Sequence, residues 1–194
     1  MLEFISNNWI GIGVLAVLII VFYSWYVSII TKRNAMEEAF SGIDVKLKKR
    51  TDLIPNILAI ANKFMAYEKS LLEEVTRLRS QVLKTEKGLA NIDERFKLEG
   101  QLQNSLSGLI VAVENYPELK SNEPMIEAQR AYSDVEAHIS AARRNFNSAN
   151  RVLRNSIQVF PGNIITCLIG VSVMAFFQIS ESERKPVDAT QLLK

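Results

Sequence analysis

Hydrophobic residues fill an uncharged stretch near the start of the chain, from Trp9 to Ile30. A bilayer core of about 30 Å needs about 20 apolar helical residues, roughly what this stretch supplies. Aromatic rings stand near both ends, as they do at lipid headgroups: Trp9 at one, Trp25 and Tyr26 at the other. A secretory signal would need a basic start and a small-residue cleavage site, and neither is present. The pattern predicts an uncleaved transmembrane helix over residues 9–30.

Basic residues near this span all follow it, beginning with Lys32 and Arg33. Lys and Arg resist translocation when they lie close to a span. We therefore predict a single-pass topology, with residues 1–8 as a short outer N-terminus and the body of the chain in the cytoplasm.

Beyond the span, apolar residues recur at helical spacing from Ile43 to Val82, interrupted by Pro55. A proline inside a helix costs about 3 kcal/mol, so the sequence favours a chain reversal at Thr51–Asp52. One kinked, continuous helix is the alternative. A second stripe, from Ile92 to Tyr116, predicts another helix.

The clearest periodicity is a series of large apolar residues seven apart, which resembles a coiled-coil seam. Its members are Met125, Tyr132, Ile139, Phe146, Leu153 and Phe160. They predict one long helix of about 36 residues, or roughly 54 Å. An apolar segment, Ile164–Ile179, follows and predicts a short helix that Asn163 caps. At about 16 residues it is too short for a second crossing, so we expect it to be buried or to skim the membrane.

These patterns predict an all-α protein: a transmembrane helix, an antiparallel up-and-down four-helix bundle and a short apolar helix near the C-terminus. The bundle domain is assigned to residues 31–180, and residues 181–194 form a polar tail. If the chain reverses at residues 51–52, the apolar segment Ile164–Ile179 returns to the bilayer. If the helix continues instead, this segment lies far from the membrane.

Composition argues against most chemistry. The net charge is only +2 and charges of both signs are interspersed, which argues against nucleic-acid binding. One cysteine, Cys167, and one histidine, His138, can build neither a disulfide framework nor a His-rich metal site. Glycine-rich phosphate loops and nucleophile motifs are absent from the sequence. We predict no enzyme, with no catalytic residue, cofactor or metal.

Polar residues also recur seven apart beside the seam, among them Glu136 and Arg143. One interpretation is a solvated helix edge. The other is an interhelical network that would fix the helix register. Its predicted members are Arg50, Glu68, Arg79, Glu114, Glu136 and Arg143.

The predicted helix from Met125 to Phe160 is longer than the Ile92–Tyr116 helix beside which it should pack. Part of its apolar seam would therefore have no covering helix inside the monomer. Uncovered apolar surface favours association with another chain. We therefore predict a homo-oligomer in contact with membrane lipid. The predicted contacts are Phe146, Leu153, Phe160, Ile165, Leu168 and Phe176.

Five strings lie in order along nearly the whole chain: RNAMEEAFSGIDVKLKKRTDLIPN (33–56), YEKSLLEEVTRLRS (67–80), AVENYPELKSNE (112–123), EAHISAARRNFN (136–147) and FPGN (160–163). Together they resemble the LemA family. The resemblance implies a bacterial cytoplasmic-membrane protein with an N-terminal anchor and a helical bundle, and brings no enzymatic activity. LemA-like domains also occur in magnetosome membrane proteins, which implies an association with membrane organisation. The chain departs from the family pattern at Val27 and at Leu153-Arg154.

Two classes of function follow. The first is a structural or assembly protein that oligomerises at the membrane. The second is a membrane-tethered adaptor for a cytoplasmic partner, such as a protease or a signalling protein.

Overall fold

A computed structural model describes residues 9–85, 92–171 and 173–177, and every regular element within these ranges is helical. The elements are α1 (Trp9–Phe64), α2 (Lys69–Lys84), α3 (Ile92–Val113), α4 (Pro117–Lys120), α5 (Glu123–Gln158) and α6 (Gly162–Ile169). The predicted all-α class is confirmed for these residues. The predicted outer N-terminus (1–8) and polar tail (181–194) lie outside them.

Helix α1 has 56 residues and runs without a break from the predicted span through Pro55. The favoured reversal at Thr51–Asp52 is therefore wrong, and the chain reverses at residues 65–68 instead. Pro55 is exposed, while Ile54 and Ile57 beside it are fully buried. Burial of these apolar side chains offsets the cost of the proline, because a fully buried isoleucine gains about 1.5–3 kcal/mol.

The N-terminal part of α1 is the one stretch among the described residues that is long and apolar enough to cross a membrane. Its side chains from residue 9 to residue 22 are exposed, as those of a lipid-facing helix are. A membrane-spanning helix is thus supported by length, composition and exposure. Its orientation stays a prediction.

The orientation can be tested with a cysteine at Ser133, which is exposed on α5. The native Cys167 is also exposed and must first be replaced by serine. We expect Ser133→Cys in intact cells to be protected from a membrane-impermeant thiol reagent and to react after lysis, because basic residues hold this side in the cytoplasm. Labelling before lysis would reverse the predicted topology.

The described residues divide into two compact units, and α1 and α5 contribute to both. The second unit, residues 44–140, has a continuous apolar core to which parts of α1, α2, α3, α4 and α5 contribute. Fully buried members include Ile57, Val75, Leu106, Leu119 and Met125. Each helix thus presents one apolar face to a common core, as amphipathic helices of a globular domain do.

The first unit contains residues 9–43 and the described residues from 141 onward. Here α1 and α5 run antiparallel: the rings of Phe40 and Phe146 have centroids 5.8 Å apart, and Lys32 Nζ donates to Ser156 Oγ at 2.7 Å. Phe146 and Leu153 are buried within the monomer. The expectation of an uncovered seam is therefore wrong at these two positions, whereas Phe160, the last residue of the seam, is exposed.

The predicted C-terminal helix is shorter than expected. Helix α6 has only eight residues and ends at Gly170, whose φ of 65° suits a residue without a side chain. Residues 171 and 173–177 are not helical. The N-cap residue is Pro161 rather than Asn163, which lies inside the helix and accepts a hydrogen bond from the Ile164 N–H at 2.9 Å.

Gly162 lies where α6 folds back against the end of α5. A Cβ atom at this position would collide with the backbone carbonyl oxygen of Ser156, whereas a Cβ at Gly42 in α1 would meet nothing within 4 Å. We expect Gly162→Ala to destabilise the protein by about 1–3 kcal/mol, the usual cost of an overpacked site. The matched Gly42→Ala should stabilise it by about 0.5–1 kcal/mol. Urea unfolding of the detergent-solubilised chain measures both, and equal effects would contradict the tight turn.

Candidate functional site

A buried charge cluster lies within the second unit, where Arg50 of α1 meets a carboxylate from each of two other helices. Its guanidinium is fully buried, donates to Glu136 Oε1 of α5 at 2.9 Å and forms a short ion pair with Glu99 of α3. The same guanidinium also donates to the backbone carbonyl of Glu99 at 3.2 Å. One side chain therefore ties three helices together.

Burial by itself disfavours the charge on Arg50, but the attraction of Glu99 and Glu136 and their hydrogen bonds outweigh it. The pKa of Arg50 is raised above its ordinary value as a result. Burial also raises the pKa of Tyr132 to about 12, and the charge of Glu136 adds to this effect. At neutral pH, Arg50 is therefore cationic and Tyr132 is neutral.

A second ion pair lies beside the cluster. Arg95 Nη1 of α3 is 2.9 Å from Asp44 Oδ1 of α1, and the arginine is buried. These side chains border a surface depression of about 440 Å³ that Lys48, Lys49 and Thr51 also line. Among the described residues that line it, both carboxylates, Asp44 and Glu99, are paired with an arginine.

Arg79 of α2 replaces the backbone hydrogen bond that is missing in α1 because of Pro55. Proline has no N–H to donate to the carbonyl four residues earlier, which belongs to Thr51. Arg79 Nε donates to that carbonyl oxygen at 3.1 Å. Thr51 is itself buried, so its carbonyl would otherwise lose both its helical partner and water. This bond explains why α1 continues through the proline.

A double-mutant cycle tests this repair. Arg79→Met should cost about 1–3 kcal/mol, because a buried carbonyl loses its donor. In a Pro55→Ala background the same change should cost less, since the alanine N–H can then donate to Thr51. Urea unfolding of the four proteins gives the coupling energy. Equal costs of Arg79→Met in both backgrounds would show that the two sites are independent.

The other residues of the predicted network lie apart from the cluster. Glu68 is half-buried in the turn before α2, and Glu114 forms an exposed ion pair with Lys120. The Arg143 guanidinium lies in the first unit, 5.8 Å from the ring centroid of Phe177. The structure thus joins Arg50 with Glu136 directly and gives Arg79 a backbone partner.

Asparagines of α5 hold the segment that follows α6. Asn147 makes a two-way contact with Phe177: its Nδ2 donates to the Phe177 carbonyl at 3.0 Å and its Oδ1 accepts from the Phe177 N–H at 2.9 Å. The buried Asn150 donates to the Met174 carbonyl at 2.8 Å. Arg154 stacks 4.7 Å from the ring centroid of Phe176. These contacts secure a non-helical segment by its backbone.

Sequence reasoning missed Glu99, although a signal was present. Glu99 stands seven residues before Leu106, and Arg50 stands seven after Ile43 and seven before Ile57. Both charged residues therefore occupy positions of an apolar heptad, where a charge is almost always buried with a partner. Charged residues at heptad positions within the apolar stripes, rather than beside them, therefore indicate that Arg50 and Glu99 form a buried pair.

The structure divides the six predicted oligomer contacts. Phe146, Leu153 and Ile165 are buried inside their own unit, whereas Phe160, Leu168 and Phe176 are exposed. Among the described residues, no group of three or more His, Cys, Asp or Glu side chains is arranged to hold a metal ion.

Over the described residues, the fold and the site define a class: an all-helical protein with one helix able to span a membrane and with its buried charges, Arg50, Arg95 and Glu99, each paired with an opposite charge. The LemA family model matches residues 39–190, and the chain belongs to the LemA family. Protein LemA of Metamycoplasma hominis is 26% identical over 89% of this chain and 79% of its own length.

Further relatives are magnetosome proteins. Magnetosome protein MamQ 2 of Paramagnetospirillum magneticum is 21% identical, and MamQ of Magnetospirillum gryphiswaldense is 19% identical. Each match covers 87% of this chain and 70% of the relative. This chain is therefore similar over most of its length both to a LemA protein and to magnetosome proteins.

Proposed function

We propose that this chain is a structural protein of the bacterial cytoplasmic membrane that self-associates and organises the membrane or its proteins. Its N-terminus faces outward, and its body is an antiparallel up-and-down four-helix bundle in the cytoplasm. The family membership and the relatives named as magnetosome proteins support a role at a membrane.

The observation that carries the structural role is the continuity of α1. The predicted span ends at Ile30, and the helix continues without a linker into packed residues such as Met36 and Phe40. A flexible tether would need a segment rich in glycine, serine or proline between the anchor and the body. A continuous helix instead transmits the position of the span to the cytoplasmic residues packed on it.

The buried charges support the same role. Arg50, Glu99 and Glu136 engage one another across three helices, and such pairs specify helix register more than they add stability. A scaffold needs one fixed packing arrangement, which this cluster supplies. Anchoring in one plane also raises the effective concentration of the chains, which favours lateral association.

Self-association is tested on the full chain by light scattering in mild detergent and by mass measurement in nanodiscs large enough for several copies. We expect a defined oligomer in both. If the chain is monomeric in both environments, the assembly role fails.

The alternative is a membrane-tethered adaptor for a cytoplasmic partner, and one observation favours it. Tyr67, in the turn between α1 and α2, is 92% exposed. Exposed tyrosines are common in the cores of protein interfaces. A monomeric chain that loses a bound cytoplasmic protein on Tyr67→Ser would support the adaptor.

A further inference from the structure

An apolar surface lies around the turn from α5 to α6, in the first unit. Its members, which we call the α6 patch, are Val159, Phe160, Ile164, Cys167 and Leu168. Phe160 and Leu168 are 72% and 73% exposed. Within α6, Ile164, Cys167 and Leu168 share one face, while Gly162 and Ile165 on the other face are buried. The face of α6 that carries these three residues is therefore both apolar and exposed.

The contacts of α5 with α1 fix where this patch lies along the span. Phe146 of α5 contacts Phe40 of α1, and Ser156, ten residues later on α5, contacts Lys32, eight residues earlier on α1. Each further helical residue advances about 1.5 Å in the same direction. The end of α5 therefore lies beside α1 residues that precede Lys32, at the C-terminal end of the predicted span. Helix α6 begins at the same level, because Gly162 lies against the backbone of Ser156.

Burial along α1 agrees with this level. Side chains 9–22 are exposed, but Trp25 and Ser28 are half-buried and Ile29 is fully buried. A helix cannot bury its own side chains completely, so packed residues of the same unit must reach the last two turns of the span. Trp25 and Tyr26 are also the aromatic residues that the sequence assigns to the headgroup level.

The charge pattern around this level fits a lipid surface. Arg151 is exposed on α5, on the body side of the patch, where it can meet anionic headgroups. Arg33 is also exposed on this side, on α1, and is paired with Glu37. The patch itself carries no charged side chain. Apolar residues next to a basic rim are typical of helices that lie in the membrane interface.

We propose that the α6 patch inserts into the bilayer beside the span, in the leaflet that holds the C-terminal end of the span. The chain then has two membrane contacts: a crossing helix and a short interfacial helix packed against its base. Two contacts restrict the tilt and rotation of the cytoplasmic residues relative to the membrane. This contact needs no second copy of the chain, so it stands or falls separately from self-association.

The native Cys167 provides the probe, because it lies in the patch and is the one cysteine of the sequence. The full chain is labelled there with an environment-sensitive fluorophore and placed in nanodiscs that hold one copy each. Quenching is measured with bromine on the lipid acyl chains and with iodide in the water. The comparison label is at residue 133, in the Cys167→Ser, Ser133→Cys protein.

We expect acyl-chain bromine to quench the Cys167 label several-fold more strongly than the label at residue 133, and iodide to show the opposite order. Phe160→Ser with Leu168→Ser should abolish the bromine quenching without loss of helix by circular dichroism, because both side chains are exposed and the span keeps the chain in the disc. The matched pair Tyr67→Ser with Val111→Ser, also exposed, should leave the quenching unchanged.

Equal access of iodide to both labels would overturn the proposal. A second outcome would also overturn it. If iodide reaches the Cys167 label in discs with one copy, but neither quencher reaches it in discs with several copies, a second copy of the chain covers the patch. Because the measurement uses one chain per disc, a failed assembly experiment leaves its outcome unaffected.

Discussion

Replacing Arg50 with methionine is expected to lower the free energy of unfolding by about 3–5 kcal/mol. The change leaves the Glu99 carboxylate, which is almost fully buried, without its cationic partner. The effect should appear as a lower urea midpoint of the detergent-solubilised chain, followed by circular dichroism.

Two variants control this experiment. Lys48→Met removes an exposed ion pair with Asp52 one helical turn away and should change stability by at most about 1 kcal/mol. Adding Glu99→Gln to Arg50→Met should recover part of the loss, because the buried charge is gone. A loss for Arg50→Met no larger than that for Lys48→Met would show that water reaches the cluster.

Replacing Phe146 with alanine should cost about 3–5 kcal/mol, the usual range for a fully buried aromatic ring. The ring is packed edge-on against Phe40 at 5.8 Å and against Phe177 at 5.2 Å, all within the first unit. Because these contacts are internal, the loss should be the same at low and high protein-to-lipid ratios. Urea unfolding at two ratios measures it.

The control lies on the same helix. Val152 is exposed, so Val152→Ala should stay within about 0.5 kcal/mol. A cost of Phe146→Ala that grows with the protein-to-lipid ratio would place this ring in an intermolecular contact, as the sequence pattern had suggested.

Local patterns determined the helices. The long helix predicted from Met125 to Phe160 is α5, observed at Glu123–Gln158, and the helix predicted from Ile92 is α3. The uncharged stretch from Trp9 to Ile30 is a helix apolar enough to span a membrane. These features depend on residues a few positions apart, so the sequence displays them directly. The family resemblance, spread over many short strings, is confirmed by the family match.

The partners of each helix depended on residues far apart in the chain. The continuation of α1 through Pro55 is supported by the burial of Ile54 and Ile57 and by Arg79, which donates to the carbonyl that the proline leaves without its helical bond. The cover of the α5 seam at Phe146 comes from Phe40 of α1, a residue far away in the sequence. A local sequence pattern shows that a proline destabilises a helix or that an apolar helix face needs a cover. It does not show which distant residue compensates for the proline or covers that face.

The candidate site shows the same division. The sequence itself set the apolar heptads and placed Arg50 and Glu99 within them, but only the folded structure brought the two together and added Glu136 from a third helix. Likewise, the apolar character of residues 159–168 is readable from the sequence, whereas the level of the preceding Ser156 beside Lys32 comes from the antiparallel packing of α5 on α1. Hydrophobic periodicity specifies which face of a helix is covered; the identity of the covering residues is a long-range property, set by packing and by the pairing of buried charges.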